Sequence, residues 1–407
     1  DPYELALYYE AISEKYQWWH GPFYMPEKGS LFEPFASRYG GETTIWQEDL
    51  NLLEALRSYP RLVVLGDSGI GKTTSLERLM LEYGQQGLKA PFPILVSLVS
   101  YHKNLMECIL SAVNQREAIY LRSEVDTQHL LETLVCHLMF DGLHELAEHL
   151  QREFVRDIQS LTTRYPQHHY VVTSRPQGTQ WRALQSVGMH IVFVQPVDAV
   201  HVREYLTAKL GEDAGTRTYT ELNPRLRAIA RIPLFLQVLA SVVGSATGDP
   251  LPKNRGQLLD RMVTTWLQRG PKRTAQIPTD VALHALAYLA YTMLRDRAQP
   301  FVIQRSGAEK AIREYLSQCR GASHDCRMLL QDVMAKSLLV GHKEMRFWHE
   351  AFQAFFASLF LREQVEQMQE TTHRAWGGLF VGNQRVGALA TKPVWGCLLY
   401  TSDAADE

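Results

Sequence analysis

The residues best suited to chemistry lie at 66–74, where Gly66, Asp67, Ser68, Gly69, Ile70, Gly71, Lys72, Thr73 and Thr74 follow one another. An apolar run, RLVVL at 61–65, precedes them, and a helical pattern, KTTSLERLMLEYG at 72–84, overlaps their end. The spacing G-x-x-x-x-G-K-[ST] lets successive main-chain N–H groups converge on one set of phosphate oxygens. The positive end of the following helix faces the same charge. Lys72 can then neutralise β- and γ-phosphate charge, while the Thr73 hydroxyl suits a magnesium ion. The competing explanation is an accidental glycine-rich strand-to-helix turn, and the strand before it and the helix after it both count against that.

Such a loop needs a carboxylate from a second strand to hold the metal shell and another group to orient water. LVCHLMFDGLHEL at 134–146 supplies both. Asp141 stands where the apolar run ends and is the expected metal-shell residue. Gly142 permits a turn, and Glu145, expected at the start of the next helix, is the candidate for polarising an attacking water. Taken alone, Asp141 reads equally as a turn residue and Glu145 as a first-turn acid satisfying the helix dipole. HHYVVTSRP at 168–176 ends in Thr173, Ser174 and Arg175. Arg175 is expected at the strand edge that carries the phosphates, where a cation reads the γ-phosphate; its alternative is a surface arginine at a strand end.

Five short apolar runs must position these groups: 61–66, 92–100, 135–141, 168–174 and 190–197. Short, nearly continuous apolar runs separated by longer amphipathic ones predict an α/β fold, a parallel sheet with helices on both faces. After residue 199 helical patterns take over, predicting a small helical domain. From Asp280 several helices, a turn-containing stretch LLVGHKEMRF and a final amphipathic helix predict a winged-helix domain. The expected division is a helical lead-in at 1–45, the sheet domain at 46–198, the helical domain at 199–272 and the winged helix at 273–370. Residues 371–407 are expected to begin a missing C-terminal region and to end in an artefactual tail, Cys397 to Glu407, with no assigned function. The first residue is Asp1 rather than Met, so a preceding effector segment is also expected.

The 407 residues are 45% hydrophobic and 21% charged, ordinary for a soluble globular protein with a substantial core. A formal net charge of -2 offers no basic field, so nucleic acid is not the expected partner. The five cysteines are odd in number and scattered, which suits a reducing compartment, and the chain reads as cytoplasmic. Cys319 and Cys326, with His324 between them, match no common zinc spacing. No apolar run is long enough for a membrane span, and no membrane partner is expected.

Together GDSGIGKTT, DGLHEL, VVTSRP, RIPLFLQVLA, LPKNRGQLLDRMVTTWL and FWHEAFQAFFAS resemble the NACHT family of STAND signal-transduction NTPases, over about Leu31 to Phe360. The resemblance implies a P-loop NTPase that binds ATP or ADP with Mg2+, rests closed on ADP, opens on exchange to ATP and forms a homo-oligomer. It implies a slow ATPase and a signal sensed by a region beyond the winged helix, with bacterial antiviral defence as one setting. By position it also implies that Arg175 is the first sensor, that Pro233 in RIPL packs by the adenine, and that His349 in FWHEAF touches the β-phosphate of ADP. Sequence alone reads Pro233 as a helix-starting proline and His349 as an ordinary histidine. The family pattern DGxDE is broken by His144, which cannot supply the second negative charge and is expected to slow hydrolysis. Two other readings stay open: an AAA+ type remodelling or loading ATPase with a DNA-binding winged helix, and a scaffold that binds nucleotide without hydrolysis.

Overall fold

A computed structural model describes residues 2–17, 28–32, 45–102, 104–116, 118–177, 180–245, 250–268, 278–296, 300–318, 326–336, 338–341 and 343–376. Cys319, His324 and residues 377–407 lie outside the described residues. The chain divides into two compact units, Asp1–Tyr205 with Arg231–Leu234, and Leu206–Ala230 with Phe235–Glu407.

The first unit is built on seven strands: β1 (Lys28–Phe32), β2 (Ile45–Asn51), β3 (Arg61–Leu65), β4 (Phe92–Ser97), β5 (Cys136–Asp141), β6 (His169–Ser174) and β7 (His190–Val194). Their order is β2-β1-β7-β3-β6-β5-β4. The five from β7 to β4 are mutually parallel, as the apolar runs foretold. Within β3, β5 and β6 almost every residue is buried, which is why they read as continuous apolar runs rather than alternating ones. Helices between the strands, among them Lys72–Gln86, Leu105–Asn114 and Glu148–Arg164, return the chain so that all five run the same way.

The sequence reading has no strand before Arg61, and here the structure corrects it. β1 pairs antiparallel with both β7 and β2, extending the parallel sheet by two strands. A Cβ on Gly29 would meet Val192 Cγ1 at 2.5 Å, so glycine is what allows β1 to lie close along β7. The helix Pro2–Tyr16 is fastened to the same unit. Tyr8 and Tyr9 donate to the carbonyls of Pro93 and Ala90, each at 2.9 Å, and the Tyr8 ring stacks on Phe92 at 4.4 Å. It crosses the helix Lys72–Gln86 at Gly84, where a Cβ would stand 2.9 Å from the Ser13 nitrogen.

Opposite the loop end of the strands, near the starts of β5 and β6, stand the buried His137 and His168 and the half-buried His169. His137 Nδ1 bonds the Tyr83 hydroxyl at 2.9 Å, and its ring lies 5.2 Å from that of His169. Burial, with a smaller push from His169, brings His137 down to about 3, and burial also lowers His168 and His169. These imidazoles therefore fold neutral, whereas the unfolded chain takes up protons near pH 6.5. Their stabilisation is fully present above that value and is lost as pH falls from about 6.5 toward 3. Between pH 6.5 and 5 His137 alone should cost about 2 kcal/mol. Urea melts at the two pH values should show a smaller difference in His137→Gln than in the natural chain; equal differences would refute this account.

In the second unit the helices Thr279–Arg295 and Glu350–Trp376 pack together; Ala285, Leu286 and Leu289 are buried in the first, and Phe352, Phe356 and Leu359 in the second. Tyr291 lies 4.7 Å from Phe360, and His284 Nε2 meets Glu363 Oε1 at 2.6 Å. The helices Arg305–Gln318 and Cys326–Ala335 follow the first of these, and a small antiparallel sheet joins β8 (Ile303–Gln304), β9 (Leu339–Val340) and β10 (Glu344–Phe347) in the order β8-β10-β9. No helix among the described residues is long and apolar enough to cross a membrane.

Candidate functional site

The glycine-rich loop leaves β3 at Leu65 and ends where the helix Lys72–Gln86 begins. The Gly66 N–H donates to the Ser174 carbonyl at 3.3 Å, which ties the loop to the end of β6. Gly69 and Gly71 have φ of +77° and +109°, a region that L side chains rarely adopt. Gly71 caps the helix without a side-chain hydrogen bond of its own. The buried Ser68 hydroxyl also has no hydrogen-bond partner among the described residues. A loop of this kind fits an anion: amides at a helix start, a spare buried hydroxyl, and a lysine. Lys72 is 8% exposed, and its Nζ donates to the carbonyls of Gly66 at 2.6 Å and Asp67 at 2.9 Å.

Thr73, exposed at the second helical position, donates through Oγ1 to Asp141 Oδ2 at 2.7 Å. Asp141 is the last residue of β5, and β6 lies between β5 and the strand that carries the loop. The loop hydroxyl and the acid named from the sequence are thus together. Two oxygens, the Thr73 hydroxyl at the helix start and the Asp141 carboxylate at the end of β5, form a donor set suited to Mg2+, which prefers oxygen ligands.

Gly142 follows with φ +93° and starts a 3-10 turn, Leu143–Glu145, rather than an α-helix; the helix begins only at Glu148. The expectation that Glu145 opens the helix is corrected accordingly. Glu145 N–H donates to the Gly142 carbonyl at 2.9 Å, and the side chain folds back so that a Cβ on Gly142 would lie 3.0 Å from its Cδ. Glycine at 142 therefore serves both the left-handed backbone and the space the carboxylate fills. His144 is half-buried on the same turn. Arg175, also half-buried, is the first residue beyond β6, next to the Ser174 carbonyl that holds Gly66.

Three contacts were not legible in the sequence. Thr173, fully buried on β6, bonds both Asp141 and Gly142. Gln177 Nε2 reaches Asp67 Oδ1 at 3.3 Å. Leu234 N–H donates to the Gly69 carbonyl at 3.2 Å, and a Cβ on Gly69 would meet Leu234 Cβ at 2.8 Å. Pro233, which starts the helix Pro233–Ser245, is thereby set beside the loop through its neighbour. Arg231 and Val197 hold this segment by two reciprocal bonds of 2.8 and 2.9 Å. His349 lies in the second unit, where its Nδ1 accepts from the Ala351 N–H at 3.0 Å and caps the helix Glu350–Trp376. Among the described residues no cluster of three or more His, Cys, Asp or Glu stands ready for a metal, and Cys108, Cys136 and Cys326 are buried free thiols.

A loop between strand and helix, with a lysine and hydroxyl at its end and an acid on the next strand but one, defines a P-loop NTPase. More narrowly, residues 60–213 match the family model of the NACHT domain, consistent with a P-loop NTPase of NACHT type. Among curated proteins none matches the chain. Among solved structures the chain is similar to Cdc6p from Pyrobaculum aerophilum, at 14% identity over 77% of this chain and 91% of that one, with a TM-score of 0.29. Drosophila ORC bound to DNA matches at 12% identity over 73% of this chain and 81% of that one, TM-score 0.35. The Aeropyrum pernix ORC1 protein in complex with DNA matches at 15% identity over 77% and 92%, TM-score 0.33. Superposition this loose carries no argument about what the chain binds.

Proposed function

We propose that the chain is a nucleotide-dependent switch of the STAND class, closed on ADP and opened by exchange to ATP with assembly into a homo-oligomer. The observation that supports it best is the 2.7 Å bond between Thr73 and Asp141, which brings a loop hydroxyl and a strand-end carboxylate to one point. Mg2+ held there would neutralise phosphate charge and order the phosphates. The loop amides and Lys72 bind the polyphosphate, Glu145 polarises water, and Arg175 senses the terminal phosphate. Pro233 lies by the adenine and His349 reaches the β-phosphate in the closed form. We assign residues 46–198 to the NTPase domain, 199–272 to a helical domain and 273–370 to a winged helix. Three helices followed by the β9–β10 hairpin support that last assignment. Antiviral defence is the setting that the family resemblance favours.

His349 does not hold the closed form alone. A charge-assisted hydrogen bond contributes about 1.5–3 kcal/mol, whereas moving a population from 1:99 to 99:1 takes about 5.5 kcal/mol. Other interactions must supply the rest. Calorimetric titration with ADP, ATP, GDP and GTP in magnesium tests the reading, with light scattering to follow assembly. Saturable heat with adenine nucleotides and growth in mass only with ATP are expected; no heat with any of the four sinks the proposal. DNA binding that weakens steeply with salt, without assembly on ATP, would favour the loading-ATPase reading instead.

His144 places an imidazole ring where the family carries a carboxylate. His144→Asp should therefore raise the rate of phosphate release several-fold at unchanged nucleotide affinity. Equal or lower release by the variant would show that this position does not limit hydrolysis.

A further inference from the structure

We infer that Thr173 is a positioning residue, which sets the geometry of the metal-holding carboxylate and of the turn carrying Glu145 from the neighbouring strand. The inference rests on the proposed binding of magnesium nucleotide at the loop, and it assigns a role to a side chain that touches neither phosphate nor metal in that reading.

Thr173 is wholly buried in the middle of the sheet, flanked by Val64 on β3 and following Val172, the β6 partner of Phe140 on β5. One step further along, its side chain meets Asp141. A hydroxyl has one proton to give and two lone pairs to receive with. The Gly142 N–H can only donate, and it does so to Thr173 Oγ1 at 2.9 Å. The hydroxyl proton is then directed to Asp141 Oδ1, at 2.5 Å. Asp141 is held from two sides, by Thr173 on Oδ1 and by Thr73 on Oδ2. Rotation about its side chain is restrained by these two bonds.

The second bond matters as much. Gly142 opens the 3-10 turn, and its carbonyl accepts from the Glu145 N–H. Thr173 therefore anchors the first peptide of the turn whose last residue is the proposed water-polarising acid. One buried hydroxyl sets both acids, and a metal with strict octahedral demands reads small errors in that setting. Loss of a group that orients a metal ligand typically costs about 10- to 100-fold in metal affinity.

The test uses Thr173→Val, which keeps the shape and removes the hydroxyl, Thr173→Ala in case the valine variant does not fold, and Thr173→Ser, which restores the bonds. ADP affinity is measured by calorimetry in EDTA and again in magnesium. In the natural chain magnesium should strengthen binding. In the valine or alanine variant that strengthening should shrink about 10-fold or more while the affinity in EDTA stays within about 2-fold, and serine should recover most of it. Combined with Asp141→Asn, the valine change should add almost nothing further, because it acts through that carboxylate. A valine or alanine variant with the full magnesium gain, or one whose loss adds independently to that of Asp141→Asn, overturns the inference. Absence of ADP binding by the natural chain would instead overturn the proposed function on which it rests.

Discussion

Replacing Lys72 with alanine should weaken magnesium-nucleotide binding on the order of 100-fold or more while leaving the ligand-free protein folded. The ammonium group is almost fully buried and already fixed, with Gly66 and Asp67 carbonyls at 2.6 and 2.9 Å on one side of it. Those two bonds aim the side chain along the loop, so little freedom is lost when phosphate arrives. Hydrogen bonds to charged groups contribute about 1.5–3 kcal/mol each. Loss of two such contacts to phosphate therefore removes at least about 3 kcal/mol, or about two decades of affinity. Of the two residues whose carbonyls are left behind, Gly66 is buried and Asp67 is exposed, so water can take the place of the ammonium from the Asp67 side. The ligand-free melting point should accordingly stay within about 4 °C, the shift that roughly 1 kcal/mol produces in a domain of this size. Ligand at 100 times its dissociation constant should stabilise the natural chain by about 2.7 kcal/mol and the variant hardly at all. Calorimetry and melting curves with and without ADP read both quantities. An unchanged dissociation constant would remove the electrostatic basis for placing phosphate at this loop.

What could be read from residue order was whatever leaves a local signature. β3 to β7 were legible because strands buried on both faces must be continuously apolar, and the loop was legible because its glycines and lysine are fixed by backbone geometry. β1 and β2, KGSLF and IWQEDLN, carry lysine, glycine and acids; they are strands because β7 offers an open edge, which no local pattern records. Glu145 was expected at the start of a helix but lies on a separate turn before it. Gly142 in a left-handed conformation and Leu146 in an extended one confine residues 143–145 to a single 3-10 turn before the helix starts. Thr173 was visible only as a strand-ending residue. Its importance comes from the register between β5 and β6, which sets its hydroxyl against Asp141, and register is a property of two strands at once. The same holds for Leu234 against Gly69, 165 positions apart in the chain but bonded through the main chain at 3.2 Å.

Glu145→Gln separates binding from chemistry. The substitution keeps volume and hydrogen-bonding shape but removes the charge that polarises water, so it should leave the loop, Thr73 and Asp141 as they are. Nucleotide affinity is expected to stay within about 3-fold, since none of the phosphate-facing donors changes, whereas phosphate release should fall by about 100-fold or more, the lower range of general-base contributions. The position of the carboxylate gives a second handle. A Cβ on Gly142 would stand 3.0 Å from Glu145 Cδ and 3.2 Å from Oε1, so Gly142→Ala makes the acid give by a few tenths of an ångström without removing its charge. It also strains a backbone held at φ +93°, which costs about 1–2 kcal/mol. If Glu145 acts through its location over the turn, the two variants should lose turnover to a similar degree, and combining them should cost little more than either alone. Release rates measured in single turnover, alongside ATP affinity, make the distinction. Turnover in Glu145→Gln equal to that of the natural chain would move the water-polarising role to another group, and loss of ATP binding in step with turnover would make Glu145 part of the binding site instead.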